Sequence, residues 1–297
     1  MTGTVRYEIE HVSRYRYAFP ARECVMLLCL KPRSDGGQRL RDFRIETSPP
    51  ASLTSETDCF GNVRHVLYLH REHDGLEISA RSTVEPAVPD PLPGSLGAHA
   101  WREILSWGES ADYWDFTRPS ALARPSALLD EFVSRTGIER ADDPLEGLLR
   151  LSRRLYRSFS YVPGSTSAAS PIDDILQSGR GVCQDYAHVM ITVARSWGIP
   201  SRYVSGYLSE TGRPGEQAVG NATHAWVECR LPELGWIGFD PTNVSLVDQR
   251  HVRIAVGRDY KDVSPTQGVR QGGGDTNLEV DVQVIQKDAL YGRPHHS

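Results

Sequence analysis

Through the first 88 positions, hydrophobic and polar residues alternate in short runs. Val5 to Val12, Ser13 to Tyr17, Phe43 to Glu46, Val63 to Leu69, Leu76 to Ile78 and Thr83-Val84 repeat with the period of half-buried strands. Ser34 to Gly37, Asp58 to Asn62 and Asp74-Gly75 carry turn chemistry between them. Short alternating strands with regular turns predict an antiparallel β-sandwich domain over residues 1–88. The proline-rich stretch Pro86 to Pro93 points to a linker, bounded at 89–100, ahead of a second domain at 101–297.

In the second domain the apolar period first becomes helical. Pro125 to Val133 predicts one helix. Asp142-Asp143-Pro144 opens another ahead of Leu145, Leu148, Leu149 and Leu155, and Ser170-Pro171-Ile172-Asp173 opens a short one through Leu176. From Cys183 onward, Ala187, Met190, Ile191, Ala194 and Trp197 recur at three and four residues until Gly198 and Pro200 stop the helix. Alternation then returns in Thr223 to Leu231, Trp236 to Asp240, Val252 to Val256 and Leu278 to Val284, with a glycine-rich turn at Gly272 to Gly274 joining the last two. Helices followed by antiparallel strands make this half α+β.

Composition narrows the picture slightly. A net charge of −5 and a pI near 6.1 give no reason to expect nucleic acid or an anionic membrane as partner. Met1 to Tyr17 lacks the apolar segment of a secretory leader, and the longest apolar run, Val25 to Leu30, is too short to span a bilayer. The five cysteines are odd in number and lack metal-type spacing, so reduced thiols and a cytoplasmic location are expected.

One cysteine differs from the rest. Gly179-Arg180-Gly181 breaks the chain just before Cys183, which puts its sulfur in the first turn of a helix. Backbone N–H groups and the dipole there favour an anion, so the setting suits a nucleophilic thiolate, and the same amides suit an oxyanion. Cys24, Cys29, Cys59 and Cys229 lie in strands or turns and read as ordinary small hydrophobes. Such a thiolate needs an imidazole, and the imidazole an acid. His224 and Asp240 supply both.

For His224 and Asp240 to meet they must share a sheet face. Paired residue numbers across the two strands must then sum to an even value. A plain four-residue turn over Pro232 to Gly235 gives an odd sum, so an odd-length loop or a bulge is predicted. His188 lies five residues past Cys183, an offset that turns it away, and is assigned to packing. Asp185 beside the thiolate is assigned to local capping. His251 and the remaining histidines read as structural or surface residues. A metal site on His224 and neighbouring acids has no paired ligand spacing to support it.

Gly181-Val182-Cys183-Gln184-Asp185-Tyr186-Ala187-His188, Gly198 to Tyr207, His224-Ala225-Trp226-Val227-Glu228 and Gly235 to Asn243 together closely resemble the bacterial transglutaminase-like superfamily over roughly residues 140 to 260. Residues 1 to about 88 resemble the β-rich region that precedes this core in such proteins. The resemblance implies a papain-like core with Cys183 as nucleophile, His224 as base and Asp240 as its orienting partner. It also implies an upstream aromatic residue at the oxyanion, for which Tyr161 is the candidate, with Gln184 beside the nucleophile. Trp226 and Trp236 are expected to wall the cleft or pack beside the triad. No cofactor is implied, and no acidic calcium loop is visible.

The expected chemistry is cleavage of a peptide or glutamine amide through a thioester, resolved by water in preference to an amine. The alternatives are transamidation, as in a protein-glutamine acyltransferase, and a non-catalytic interaction scaffold. Ser165 to Ser170 and Ser209 to Asn221, polar and rich in small residues, are expected at the cleft rim.

Overall fold

The computed structural model describes residues 5–209 and 223–287. Four strands come first: β1 (Arg6–Leu28), β2 (Arg39–Ser48), β3 (Ser52–Thr57) and β4 (Val63–Glu85). Helices follow, as α1 (Ala100–Ser106), α2 (Trp114–Thr117), α3 (Ala127–Thr136) and α4 (Pro144–Ser158). Next come β5 (Ser160–Tyr161), α5 (Ile172–Ser178), β6 (Arg180–Gly181) and α6 (Cys183–Ser196). The remainder is β7 (Ser201–Leu208), β8 (Thr223–Leu231), β9 (Gly235–Asp240), β10 (Ser245–Leu246), β11 (His251–Gly257), α7 (Tyr260–Val263), β12 (Thr266–Gly272) and β13 (Thr276–Lys287). Among the described residues no helix is long and apolar enough to cross a membrane.

The N-terminal region is antiparallel β, as its alternation predicts, but its strands are fewer and longer than the turn signals suggest. They join one continuous six-stranded sheet around β1 and β4. Asp74-Gly75 is not a turn. Gly75 lies within β4 opposite Arg16, where a Cβ would fall 2.6 Å from Tyr15 O, so glycine is present for close backbone approach.

The same sheet takes its last two strands from the far end of the chain. β13 pairs with the first part of β1 from Tyr17↔Thr276 to Arg6↔Lys287, and β12 pairs with its second part. Strands expected in the second domain therefore complete the N-terminal sheet. The glycine turn joins β12 to β13, and β11 belongs elsewhere.

The second sheet is antiparallel in the order β10-β9-β8-β7-β11. Helix α6 packs on it through Ala187, Met190, Ile191 and Ala194, all fully buried, and α4 and α5 cover the helix from outside. Local signals set the helix starts. Asp143 accepts the Glu146 N–H and Pro144 stands in the first turn of α4, while Ser126 accepts the Leu129 N–H at the start of α3.

The two sheets are joined through β11, an edge strand that side chains cover. Gln38 accepts the Arg253 N–H and donates to Arg253 O, and Asn62 does the same to Val256. Each amide side chain imitates a neighbouring strand, so the edge is satisfied without being open to another chain. Tyr7, Ile9, Val84, Val282 and Val284 of the N-terminal sheet share one hydrophobic core with α6 and β8.

Gly206 of β7 lies opposite His224, and a Cβ there would overlap Val252 O and the Trp226 indole. Gly206→Ala is expected to cost about 1–3 kcal/mol. The check is urea denaturation, with Gly94→Ala, where a Cβ meets open space, as the neutral control.

Candidate active site

Cys183 opens α6, preceded by the two-residue parallel ladder of β5 and β6. Val182, at the N-cap, has no side-chain acceptor to offer the first-turn amides. Asp185 turns back to accept from Val182 N (2.8 Å) and from Thr166 Oγ1 (2.6 Å), the local capping expected of it. Its carboxylate is thus engaged away from the sulfur. Gly181 makes this possible, since a Cβ there would meet Ile175 and Asp185.

The parity condition on β8 and β9 is met. Val227↔Phe239, Glu228↔Gly238 and Cys229↔Ile237 all sum to an even value. The connecting loop is three residues, Pro232 to Leu234, with Glu233 and Gly235 at positive φ. His224 and Asp240 consequently share a face, and His224 Nε2 lies 2.7 Å from Asp240 Oδ2. The Cys183 side chain is hydrogen-bonded to the same imidazole. With Nε2 committed to the carboxylate, Nδ1 is the nitrogen left for sulfur.

The electrostatics follow from burial and partners. Burial alone would lower the His224 pKa, but the hydrogen bonds and charges of Asp240 and Cys183 reverse this and raise it to about 10. Burial would likewise raise the Asp240 carboxyl; hydrogen bonds from His224, His251 and Asn243 hold it far below the usual carboxylate range. Asp240 is fully buried, and its Oδ1 also accepts the backbone N–H of Thr242 and of Asn243. This is a buried anion with a complete set of donors.

In the sequence His251 reads as a structural or surface residue and Asn243 only as part of a motif, yet both reach Asp240. Asn243 Nδ2 donates to Asp240 Oδ2 at 2.7 Å, and His251 Nε2 lies 3.4 Å from the same oxygen. Asp248 lies behind His251, with Oδ1 3.1 Å from its Nδ1. No spacing rule links residue 251 to 240. The signal that was present is the Asp-Pro-Thr-Asn segment, whose asparagine folds back on its own aspartate. Ligand atoms of His224, Asp240 and His251 lie within 4.8 Å of one another. Both imidazoles, however, aim Nε2 at one carboxylate oxygen, the pattern of N–H donation rather than of convergence on a cation.

A cleft of about 410 Å³ opens over Cys183 and His224. Tyr161 stands in it, brought there by the β5–β6 ladder, and so does Gln184, whose Nε2 donates to Ala168 O at 3.3 Å. The Ser165 to Ser170 loop is thus tied to the residue after Cys183, while Pro163 and Gly164 just before it line the cleft. The second expected rim, Ser209 apart, lies outside the described residues.

The tryptophans do not line the cleft. Trp226 is buried behind His224, edge-on to His251 with centroids 5.2 Å apart. Trp236 lies four residues along β9 from Asp240, under the Arg202 guanidinium and edge-on to Phe116. His188 is buried against Tyr203 and accepts the Tyr260 N–H, as a packing residue would.

Two family models match the chain: the transglutaminase-like superfamily core at residues 132–241 and the bacterial transglutaminase-like N-terminal region at 7–85. An uncharacterized protein of Mycobacterium tuberculosis is 32% identical, over 98% of this chain and 96% of its own.

The chain belongs to the transglutaminase-like superfamily. Its fold is shared by a candidate cysteine protease from Cytophaga hutchinsonii, with a TM-score of 0.75 and 20% identity over 100% of this chain and 95% of that one. A protein-glutamine gamma-glutamyltransferase of Pseudomonas aeruginosa is 37% identical over 31% of this transglutaminase-like chain and 14% of its own length.

Because Asp240 is a main support of the raised His224 pKa, the imidazolium is expected to persist until the pH rises through about 10. In Asp240→Asn burial acts unopposed by that carboxylate, so titration of His224 by NMR is expected to move down toward or below 6.5. An unchanged titration would show that Asp240 does not govern the ring.

Proposed function

We propose that this protein cleaves amide bonds of peptides or proteins through a cysteine thioester. The observation that carries the reading is the single hydrogen-bonded line from a helix-head sulfur through His224 to the ionised, buried Asp240, open to a cleft at its sulfur end.

The Cys183 thiolate attacks the carbonyl carbon, forming a C–S bond and a tetrahedral oxyanion. Amides at the start of α6, with Tyr161 across the cleft, are suited to hold that charge. His224, protonated at Nδ1, gives its proton to the amide nitrogen as the C–N bond breaks and the amine departs. Water then attacks the thioester carbon and returns a proton to His224. The C–S bond breaks, releasing a carboxylic acid and restoring the thiolate–imidazolium pair. Asp240 stays ionised throughout and keeps Nδ1 aimed at sulfur.

An amine in place of water would make the reaction a transamidation. The partial likeness to a gamma-glutamyltransferase favours that second reading. The odd set of free thiols suits a cytoplasmic setting. A peptide or protein amide is the substrate class, and no added cofactor takes part in the chemistry.

The test is alkylation by iodoacetamide followed by peptide mapping. Cys183 is expected to react well below neutral pH, where exposed Cys59 in the same chain does not. Cys183→Ala should abolish acyl-enzyme capture from a peptide-amide library and reduce turnover by about 10³-fold or more. Including a biotinylated alkylamine separates the outcomes: free acid signifies hydrolysis, and a biotin-labelled product transamidation. Equal reactivity of Cys183 and Cys59 across pH would remove the enzymatic reading and leave a scaffold.

A further inference from the structure

Strand β13 carries apolar residues at even positions and acids at Glu279 and Asp281, the alternation of a strand with one face toward a core. Its two ends behave differently. Val284 and Val282 are 0% and 2% exposed and belong to the core shared with α6. Val280 and Leu278, next along the same face, are 43% and 44% exposed. The apolar stripe runs out of the core and into the open.

It opens beside the candidate nucleophile. Leu278 and Val280 line the cleft that holds Cys183 and His224. Across the strand pair, Ser13 faces Val280, and the Ser13 hydroxyl is bonded to His11, which is bonded in turn to Tyr207. The polar atoms of this wall are thus engaged with one another, and burial lowers the His11 pKa to about 4, keeping it neutral. Among the described residues lining the cleft there is no Asp, Glu, Lys or Arg, although such residues make up 24% of the chain. The remaining surroundings are tyrosines, prolines and small hydroxyl residues, with Gly164, Val182, Gln184 and Ala225 among them.

We infer that the N-terminal sheet is the specificity wall of the site, with Leu278 and Val280 receiving an uncharged aliphatic side chain adjacent to the amide that Cys183 attacks. This rests on the thioester reading above. Among the described residues of this wall there is no carboxylate, ammonium or guanidinium to offset the desolvation of an acid or a base, so charged residues at that substrate position are rejected. An aliphatic side chain gains by covering apolar surface that the fold leaves bare. The residues that select substrate are then separated from the nucleophile by nearly 100 positions and supplied by the other sheet.

Three acetyl-dipeptidyl fluoromethyl ketones, with Leu, Asp or Lys ahead of a constant Gly, read the wall through the inactivation rate of Cys183. Iodoacetamide, too small to reach the wall, reads the nucleophile alone. The Leu probe is expected to inactivate the native enzyme about tenfold or more faster than either charged probe. Val280→Asp should slow the Leu probe about tenfold, leave iodoacetamide within about twofold, and raise the Lys probe relative to Leu. Leu278→Asp should act in the same direction. Val269→Asp, on β12 and outside the cleft, should change none of the rates.

Equal rates for the three probes on native enzyme, with iodoacetamide reacting normally, would overturn the specificity wall and leave the thioester mechanism standing. So would a Val280→Asp variant that slows iodoacetamide as much as the Leu probe. A Cys183 that reacts with iodoacetamide no faster than Cys59 at any pH would instead sink the underlying mechanism.

Discussion

A carboxylate with no access to water holds this site together. Asp240 is taken out of solvent at a cost that several hydrogen bonds must offset, and nearly all of them come from its own turn or from strands beside it. The charge explains why His224 remains protonated in a buried position that would otherwise neutralise it. It also fixes which ring nitrogen faces sulfur. Trp226 is buried against the His224 and His251 rings, and Gly206 gives the indole its space. A glycine, a tryptophan and an asparagine outside the line of Cys183, His224 and Asp240 are therefore held as closely as the line itself.

The second organising constraint is the open edge of β11. A sheet ending there would leave strand N–H and C=O groups unpaired. Gln38 and Asn62 close it from the N-terminal region, and Arg253 adds ion pairs to Asp35 and to buried Glu228. Glu228 stands between Arg202 and Arg253, whose charges hold its carboxyl ionised against the effect of burial. This polar seam, together with the shared core around Val282 and Val284, makes the two sheets one body with the cleft between them.

Much of this was legible in the sequence, for identifiable reasons. The helix head at Cys183 was visible because glycines precede it and a 3.6-residue period follows. Parity across Pro232 to Gly235 was visible because strand periodicity is two, so a requirement that two side chains meet becomes arithmetic. Contacts between distant segments left no such mark. His251 reaches Asp240 through the fold of the sheet, and nothing in its neighbours announces it. The pairing of residues 266–287 with β1 was hidden for the same reason, since alternation identifies a strand but not its partner. Trp236 was misplaced because a tryptophan near a motif reads the same whether it faces the cleft or an arginine. Gly75 carried a turn signal but serves a close approach between strands.

The pairing of β1 with β13 carries a temporal consequence. β1 is made well before β13, so half of its hydrogen-bonding edge waits for a segment that lies far along the chain. Cys183, His224 and Asp240 have all been synthesised by residue 240, while the surface opposite them is incomplete until residues 266–287 arrive. Long-range pairing of this kind is slow to form. A nascent chain thus holds Cys183, His224 and Asp240 for an interval before the wall formed by Leu278 and Val280 exists, and a chain lacking β13 would keep the proposed chemistry but lose the proposed selectivity.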